Sequence, residues 1–433
     1  MTFSGLKGFR DYPPPDAGAR SELVRRMRAV ARRAGYWELE APSLESLDLF
    51  KVKSGEEIAA QAWAFQDKGG RDVALVPETT PSLARIFAAR AKSEPMPVKW
   101  FTYQRLWRYE EPQQGRTREF AQFNLDILGV DGVEAEADLL ATAALVMDEA
   151  GAEGLYAFRV NDRDLAEGLA ERNGVRAMDR YFHAIDRFRK APRSEFVAEL
   201  AASGMEPAAV QPWVERLDAA QAGLSGAAIE EFFAYALGLG LPAPATAAVA
   251  RLRRLFLLLD RVGLSDRVVF DPTVVRGLAY YTSTVFEAFA RSEDLRSLFG
   301  GGRYDHLIEL FGGPPTPACG LAIGDQTLEI LLRSHEKWPE GEPPLDTYVI
   351  AITAEEVADA FAWVERLRRA GVAAECDLLG RNLSRQLREA ARKRARRALL
   401  LGPQEKAKGI IVERDLATGA QRELAPEAVV PPA

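Results

Sequence analysis

The 433-residue sequence is poor in the residues that hold disulfides and metals. It contains two cysteines, Cys319 and Cys376, and three histidines, with no CxxC or HxxxH spacing among them. Two cysteines cannot build a disulfide framework, and they indicate a reducing compartment. The spacing also predicts that no zinc ion is held by the protein. We therefore expect no metal-binding residues.

Long hydrophobic runs are also absent. No apolar stretch approaches the roughly 18–20 residues that a membrane span needs. The N-terminal stretch MTFSGLKGFRDYPPPDAG lacks the apolar segment of a secretory signal. These two absences predict a cytoplasmic protein that has no membrane partner.

Acidic residues outnumber basic residues, so the formal net charge is −7. This value argues against a chain that coats nucleic acid without specificity. A local basic stretch nevertheless exists at 381–397, where eight Arg or Lys residues stand against one Glu. Its simplest interpretation is a solvated helix face, and a nucleic-acid surface is the alternative.

The chain is long enough for two or three domains. Strand and helix patterns mix over residues 1–162, Ala-rich helical patterns cover 163–263, and strand patterns return over 264–333. A polar, proline-containing linker follows at 334–345. Over 346–433 strands and helices alternate, which predicts a small α/β domain with a largely parallel sheet.

Two strand-like segments near residue 110 carry the most chemical information. VKWFTYQRLWRYE and REFAQFNLDILGV are joined by the polar stretch EPQQGRT, which predicts an antiparallel hairpin with a long loop. Alternation places Arg108 and Glu110 on one face, and likewise Gln122, Asn124 and Asp126. A solvated outer face is the simple alternative. The short amide and carboxylate side chains favour a functional face.

Glycines accompany two further candidates, Arg276 in VVRGLAYYTSTVF and Tyr304 in GGGRYD. Both contexts can hold a side chain close to a ligand. No GxxxxGK[ST] or GxGxxG precedes a helix in the required register, which excludes P-loop and Rossmann nucleotide sites.

Several motifs together resemble those of the histidyl-tRNA synthetases, a family of class II aminoacyl-tRNA synthetases. GFRDYPPP and EAPSLESLDLFKVKSGEE resemble its opening strand and dimer-forming first motif, and WRYEEPQQGRTREFAQFNLDILG resembles its second motif. VRGLAYYTSTVFE and GGGRYDHLIELFGG resemble the two histidine signatures, and GRNLSRQLREA resembles part of the anticodon-binding domain. The likeness extends over almost the whole chain.

The resemblance implies an α+β fold and a homodimer. A class II antiparallel sheet of six or seven strands, flanked by helices, is expected from 1–162 and 264–333. A helical insertion is expected at 163–263, and an α/β anticodon-binding domain at 346–433. The implied reaction converts histidine and ATP into histidyl-adenylate and pyrophosphate, and then transfers the histidyl group to the 3′ end of histidine tRNA with release of AMP. Mg²⁺ is expected on the triphosphate rather than in a protein cage.

The resemblance also implies residue roles. Arg108 and Arg276 are expected to be catalytic, as two cations on the α-phosphate. The expected ATP-binding residues are Arg108, Glu110, Arg116, Asp325 and Thr327. The expected histidine-binding residues are Glu78, Thr80, Gln122, Asp126, Tyr280, Tyr281 and Tyr304. The expected tRNA-binding residues are Arg116, Arg381 and Arg385.

One motif departs from the family pattern. The family's third motif usually carries an arginine that contacts ATP, whereas GLAIGDQTLEILL has Thr327 in that place. The GD pair in this motif is similar to a plant-organelle subgroup of the family. Asp325 is therefore an unexpected anion near expected phosphates, and capping its own helix is its alternative role.

Two other functional classes remain open at this point. A catalytically silent histidine-binding paralogue, such as the regulatory subunit of ATP phosphoribosyltransferase, resembles the same catalytic domain. A nucleic-acid-binding module without catalysis fits the basic stretch alone. Single residues also have plain alternatives: Asp126 as an acceptor within a β-bulge, and Tyr280 or Tyr281 as a core aromatic.

Overall fold

The computed structural model describes residues 3–52, 61–113, 115–275, 280–292, 297–341 and 345–429. The chain divides into two compact units. The first contains Met1–Tyr12 and Leu23–Trp338, and the second contains Pro13–Glu22 and Pro339–Ala433. Among the described helices, none is both long enough and apolar enough to cross a bilayer.

The first unit is built on an eight-stranded sheet and a smaller three-stranded sheet. Its strands are β1 Trp37–Glu38, β2 Leu44–Ser46, β3 Trp63–Gln66, β4 Asp72–Leu75, β5 Val98–Trp107, β6 Glu119–Leu128, β7 Tyr156–Asp162, β8 Val268–Phe270, β9 Thr284–Ala290, β10 Ser297–Arg303 and β11 Ala318–Gly324. The large sheet has the order β1-β5-β6-β11-β10-β9-β7-β8, and the small sheet has the order β2-β4-β3.

All pairs in the large sheet are antiparallel except the two at its edges, β1–β5 and β7–β8. The expected class II antiparallel sheet flanked by helices is therefore confirmed. The expected six or seven strands are corrected to eight, because short parallel strands are added at both edges. The expected opening strand in GFRDYPPP is also wrong, since Gly8–Pro15 contains no strand.

The two faces of the large sheet differ in chemistry because side chains alternate along each strand. On one face, Phe101, Phe123, Leu125 and Leu321 join a large hydrophobic core. The opposite face carries glycine and polar side chains at the paired positions. The opposite face also carries a second hydrophobic cluster around Val98, Leu128 and Val285, so both faces contribute to the packing of the unit.

Helices cover the apolar face. The helices of the first unit are α2 Thr80–Arg90, α3 Glu134–Met147, α4 Arg163–Arg172, α5 Met178–Asp186, α6 Arg193–Ala202, α7 Pro207–Ala219, α8 Ala227–Gly238, α9 Ala243–Arg261, α10 Leu307–Leu310 and α11 Asp325–Ser334, and they follow α1 Asp16–Arg33. Six of them, α4 to α9, lie in the Ala-rich region. Their buried apolar residues belong to the same core cluster as the sheet, so this region does not form a separate core.

The second unit contains a five-stranded mixed sheet. Its elements are β12 Thr347–Ala351, α12 Val357–Arg369, β13 Ala374–Cys376, α13 Leu383–Arg392, β14 Arg397–Leu401, α14 Pro403–Lys408, β15 Ile411–Asp415 and β16 Gln421–Leu424, in the sheet order β13-β12-β14-β15-β16. The first two pairs are parallel and the last two are antiparallel. The predicted largely parallel sheet is therefore wrong for half of its pairs.

The basic helix of the second unit is shorter than predicted. It ends at Arg392 instead of Arg397. Arg394 has a φ of 53°, which breaks helical geometry, and Arg397 already begins β14. The basic residues of this region are therefore divided between a helix, a turn and a strand.

Candidate active site

A glycine-rich floor lies beside the polar residues of strand β6. Asp126 pairs with Gly320, which in turn pairs with Gly302 of β10. Gln122 pairs with Gly324 in the same way. The missing side chain at Gly320 therefore leaves room above the sheet that the side chains of Asp126 and Tyr304 occupy.

Asp126 and Tyr304 meet above this floor. The Tyr304 hydroxyl donates to Asp126 Oδ1 at 2.5 Å, and both residues are buried. A Cβ added to Gly320 would lie 2.1 Å from that carboxylate oxygen. The strand register through Asp126 is regular, which contradicts the β-bulge alternative. Burial and the neighbouring Asp126 carboxylate raise the pKa of Tyr304 well above its usual value, so the hydroxyl remains a donor.

Two more tyrosines pack beside this pair. The hydroxyl groups of Tyr280 and Tyr281 are 3.5 Å apart, and the Tyr280 ring meets the Tyr304 ring edge-on at 6.1 Å between centroids. Tyr281 is buried against Gly302, where an added Cβ would lie 2.8 Å from its ring. The rings join a hydrophobic cluster, as the core-aromatic alternative predicts, and their hydroxyl groups meet. Their role in histidine binding stays a prediction.

The turn before α2 brings Glu78 and Thr80 toward the same region. Glu78 is buried, and Thr80 is the first residue of α2. Leu83 of this helix belongs to the hydrophobic cluster that contains Tyr281 and Tyr304. The cluster therefore fixes the helix whose first turn follows Glu78.

Arg108 and Glu110 lie in a loop instead of on a strand. Strand β5 ends at Trp107, which corrects the prediction that alternation places these two side chains on one sheet face. The Tyr109 N–H donates to the Gln61 carbonyl, and Pro112 has no N–H to give, so the hairpin ladder cannot continue.

Contacts within and beside this loop hold its charged residues. Arg108 Nε donates to the Pro77 carbonyl at 3.0 Å, next to Glu78. Arg116 forms an ion pair with Glu110 at 3.3 Å. The loop therefore brings Glu110 and Arg116 together, and Arg108 connects it to the turn before α2.

The helix that follows β11 contacts the hairpin through its first residues. Asp325 Oδ1 accepts from the Ala121 N–H at 3.0 Å. The Gln326 amide donates to the Thr117 hydroxyl and to the Glu119 carbonyl. These contacts join helix α11 to β6 and its loop, and sequence reasoning did not identify Gln326.

The family resemblance places Thr327 at the position of the usual third-motif arginine. Its hydroxyl donates to the Leu298 carbonyl of β10 at 2.9 Å. A Cβ on loop residue Gly115 would lie 3.6 Å from the Thr327 methyl group. Thr327 therefore packs α11 against β10 and lies beside the loop, and it adds no positive charge.

Arg276 lies outside the described residues, and the segment that leads to it is firmly held. The buried Asp271 carboxylate accepts from Arg159 at 2.8 Å and from Arg189 at 2.6 Å. Its other oxygen accepts from the Thr273 N–H and hydroxyl. The DPT sequence is a typical signal for such an Asp turn, although the two arginines could not be predicted from it.

Arg303, the residue before Tyr304, forms a buried ion pair. Arg303 makes a bidentate contact with Glu136 of α3, with both distances 2.6 Å, and both side chains are buried. Arg303 also donates to the Val130 carbonyl and to Asp305. Sequence reasoning missed this pair. An arginine at a core-facing strand position is its only signal.

In the second unit, the two arginines predicted to bind tRNA differ in their ion pairs and in their exposure. Arg381 forms ion pairs with Asp377 at 3.3 Å and with Glu389 at 3.5 Å. Arg385 is exposed on α13, and within the described part of the chain no carboxylate pairs with its guanidinium. Arg385 is therefore the more accessible cation.

The second unit also has a cavity of about 370 Å³. Trp363, Leu401 and Ile411 give it apolar walls, and the Arg366 guanidinium lies 4.8 Å from the Trp363 ring centroid. Glu356 and Glu405 add carboxylate groups. Local sequence patterns do not reveal this cavity, because its lining comes from segments that are far apart in the chain.

Within the described residues, no group of three or more His, Cys, Asp or Glu side chains is placed to hold a metal ion. The carboxylates of the loop region are engaged with arginine or lysine, as in Arg116–Glu110 and Lys7–Glu111.

Family models cover both units. The family model described as histidyl-tRNA synthetase matches residues 8–328, and the anticodon-binding domain model matches residues 346–431. These two matches together span nearly the whole chain.

Individual proteins of this kind are also similar to the chain over nearly its full length. A histidine–tRNA ligase from Natronomonas pharaonis is 38% identical, over 99% of this chain and 97% of that protein. The chloroplastic/mitochondrial histidine–tRNA ligase of Arabidopsis thaliana is 36% identical, over 96% of this chain and 83% of that protein. The fold matches a crystal structure of histidyl-tRNA synthetase from a Nostoc species with a TM-score of 0.86, at 22% identity, over 99% of this chain and 98% of that one.

Proposed function

The chain belongs to the histidyl-tRNA synthetase family, and from this premise we propose that it activates histidine with ATP and transfers it to the 3′ end of histidine tRNA. The Asp126–Tyr304 pair above Gly320 carries the proposal for this particular chain. It is a buried carboxylate that is oriented by a tyrosine and lies against the glycine floor of the sheet.

This pair suits an imidazole ring. Neutral imidazole has one N–H donor and one acceptor nitrogen. Asp126 can accept from the N–H group, and the hydroxyl of Tyr281 or Tyr280 can donate to the other nitrogen. A site built on such bonds rejects analogues that lack them by about 10⁴–10⁵. Glu78, Thr80 and Gln122 are proposed for the α-ammonium group.

ATP is proposed to bind at the loop that carries Arg108, Glu110 and Arg116. Attack by the histidine carboxylate increases negative charge on the α-phosphate, and Arg108 together with Arg276 would stabilise that charge. Glu110 is proposed for the adenine amino group, and Arg116 for the terminal phosphates or the tRNA end. Asp325 and Thr327 remain proposed nucleotide neighbours, with Mg²⁺ arriving on the triphosphate.

The second unit is proposed to bind the anticodon arm. The anticodon-binding match at 346–431 supports this role. Arg381 and Arg385 are proposed for tRNA phosphates, and the cavity beside Trp363 offers a stacking surface and acceptor groups suited to a nucleotide base. We also propose that the protein works as a homodimer in the cytoplasm, as its family resemblance implies.

The catalytically silent regulator is not favoured as an alternative. Regulators of that kind usually lack the anticodon-binding domain, whereas this chain carries a match to it. Its curated relatives at 34–38% identity are histidine–tRNA ligases over nearly the full chain.

Attachment of labelled histidine to histidine tRNA tests the proposal. We expect charging that requires both ATP and histidine. If the protein forms the adenylate but charges no tRNA, the proposed role of the second unit is wrong.

A further inference from the structure

An N-terminal segment, Lys7–Arg10, crosses the loop that is proposed to bind ATP; we refer to this segment as the strap. The Gly8 carbonyl accepts from the Arg118 N–H at 2.8 Å and from the Glu119 N–H at 3.3 Å. Two backbone donors at the end of the loop therefore bond to one carbonyl that lies outside the hairpin.

Only glycine fits at the crossing point. Gly8 has a φ of 84°, a conformation that other residues rarely adopt. A Cβ there would lie 2.7 Å from Arg118 Cγ, so the backbone of the strap lies directly against that side chain. The strap and Arg118 are therefore in close contact.

Arg118 in turn connects to two of the residues proposed for the ATP site, Arg108 and Glu110. Its carbonyl accepts from the Arg108 N–H at 3.0 Å, and its Nε donates to the Glu110 carbonyl at 3.1 Å. Its guanidinium lies 4.4 Å from the Tyr109 ring centroid. A shift of Arg118 would therefore move Arg108 and Glu110 together.

Side chains add to the contact between strap and loop. Lys7 forms an ion pair with Glu111. The Phe9 ring packs edge-on against Trp63 at 5.8 Å, and Trp63 packs in the same way against Tyr109 at 5.0 Å. The loop is thus held by the strap through charged, apolar and backbone contacts.

The far end of the strap is anchored on helix α11. Arg10 Nη2 lies 2.5 Å from Glu329 Oε1, and the Glu329 side chain is only 3% exposed. Arg333 Nε bonds the same oxygen at 2.8 Å from within the helix. Glu329 lies two residues after Thr327, in the helix that lacks the family's usual arginine.

We propose that Arg10 is a positioning residue for ATP, because it anchors the strap that holds the Arg108–Arg118 loop against helix α11. The inference rests on the proposed function, which assigns ATP to this loop. Arg10 acts through Gly8 and Arg118, and the histidine pocket around Asp126 and Tyr304 does not depend on it.

The competing interpretation is that Arg10 only neutralises a buried carboxylate. Arg333 separates the two interpretations, because it contacts the same Glu329 oxygen from within helix α11. Arg333→Ala is therefore the matched control for Arg10→Ala.

The test titrates ATP and histidine separately in histidine-dependent ATP–pyrophosphate exchange, with ATP binding by calorimetry as a second readout. Arg10→Ala should raise the KM for ATP about tenfold or more and change the KM for histidine by less than about twofold. Arg333→Ala should leave both constants within about twofold. Gly8→Ala, which keeps the Arg10–Glu329 pair, should reproduce the ATP-selective loss.

The inference is overturned if Arg10→Ala and Arg333→Ala raise the KM for ATP equally, or if Arg10→Ala raises both KM values equally. If Arg10→Ala does not fold, Arg10→Lys keeps a positive charge beside Glu329 and should fold with nearly normal ATP binding. Normal ATP binding in Gly8→Ala then overturns the inference. A wild-type protein without exchange would instead contradict the proposed function, so the two failures are distinct.

Discussion

Asp126 and Gly320 face each other on neighbouring strands, and a Cβ on Gly320 would lie 2.1 Å from Asp126 Oδ1. The same Cβ would lie 2.9 Å from the Tyr304 hydroxyl. The strand that leads into GDQTLEILL therefore forms the floor of the proposed histidine pocket, and one methyl group would displace both polar residues above it.

Gly320→Ala should abolish histidine activation. The overpacked methyl group should also cost about 1–3 kcal/mol of folding free energy. Exchange assays and urea unfolding measure these two effects. Gly238→Ala is the control, since no atom lies within 4 Å of its added Cβ. Histidine activation by Gly320→Ala at the wild-type level would contradict the assigned floor.

Tyr304→Phe should weaken histidine selectively. It keeps the buried ring and removes the donor to the Asp126 carboxylate, and a bond of this charged kind contributes about 1.5–3 kcal/mol. The KM for histidine should rise roughly 10- to 100-fold, while the KM for ATP stays nearly constant. Tyr181→Phe, which removes a buried hydroxyl from helix α5, should change neither value. An equal rise for both substrates would show that the hydroxyl supports the fold rather than the pocket.

Glu136→Gln should destabilise the first unit. The substitution removes the bidentate Glu136 anion and leaves the buried Arg303 guanidinium with its contact to Asp305. The cost should therefore be at most about 3–5 kcal/mol, the value for a buried pair that loses one partner. Urea unfolding of the full chain measures the change. Glu365→Gln breaks an exposed pair with Arg369 and should cost no more than about 1 kcal/mol. Equal effects of the two substitutions would contradict the role assigned to the buried pair.

Arg385→Ala should weaken tRNA binding more than Arg381→Ala. Arg385 is exposed, whereas Arg381 is held by Asp377 and Glu389. Loss of one phosphate contact should reduce the slope of the logarithm of the binding constant against the logarithm of the salt concentration by about one. Filter binding over a series of salt concentrations tests this, with Arg369→Ala as the control. A larger loss for Arg381→Ala would reverse the assignment.

The sequence predicted those parts of the site that follow from local periodicity. Alternation in REFAQFNLDILGV correctly placed Gln122, Asn124 and Asp126 on one face, because β6 is regular throughout. The same reasoning failed for Arg108 and Glu110, because the Tyr109 N–H donates to the Gln61 carbonyl instead of to the partner strand. Alternation cannot show where a strand ends when its last bonds are made by another segment.

Long-range contacts could not be predicted from the sequence. Arg303 and Glu136 are 167 residues apart, and Arg10 and Glu329 are 319 apart. The strap has no regular secondary structure, so no periodic pattern marks it. The family resemblance supplied the fold and the reaction, but its assignment of Thr327 and Asp325 to ATP gave no indication of their contacts with Leu298 and Ala121.

The most direct test of the proposed function is histidine-dependent ATP–pyrophosphate exchange by the full chain. We expect exchange with histidine and with no other amino acid, and its near-complete loss in Asp126→Ala and Arg276→Ala. Histidine binding without exchange under any condition would contradict a ligase and favour a regulatory histidine-binding protein.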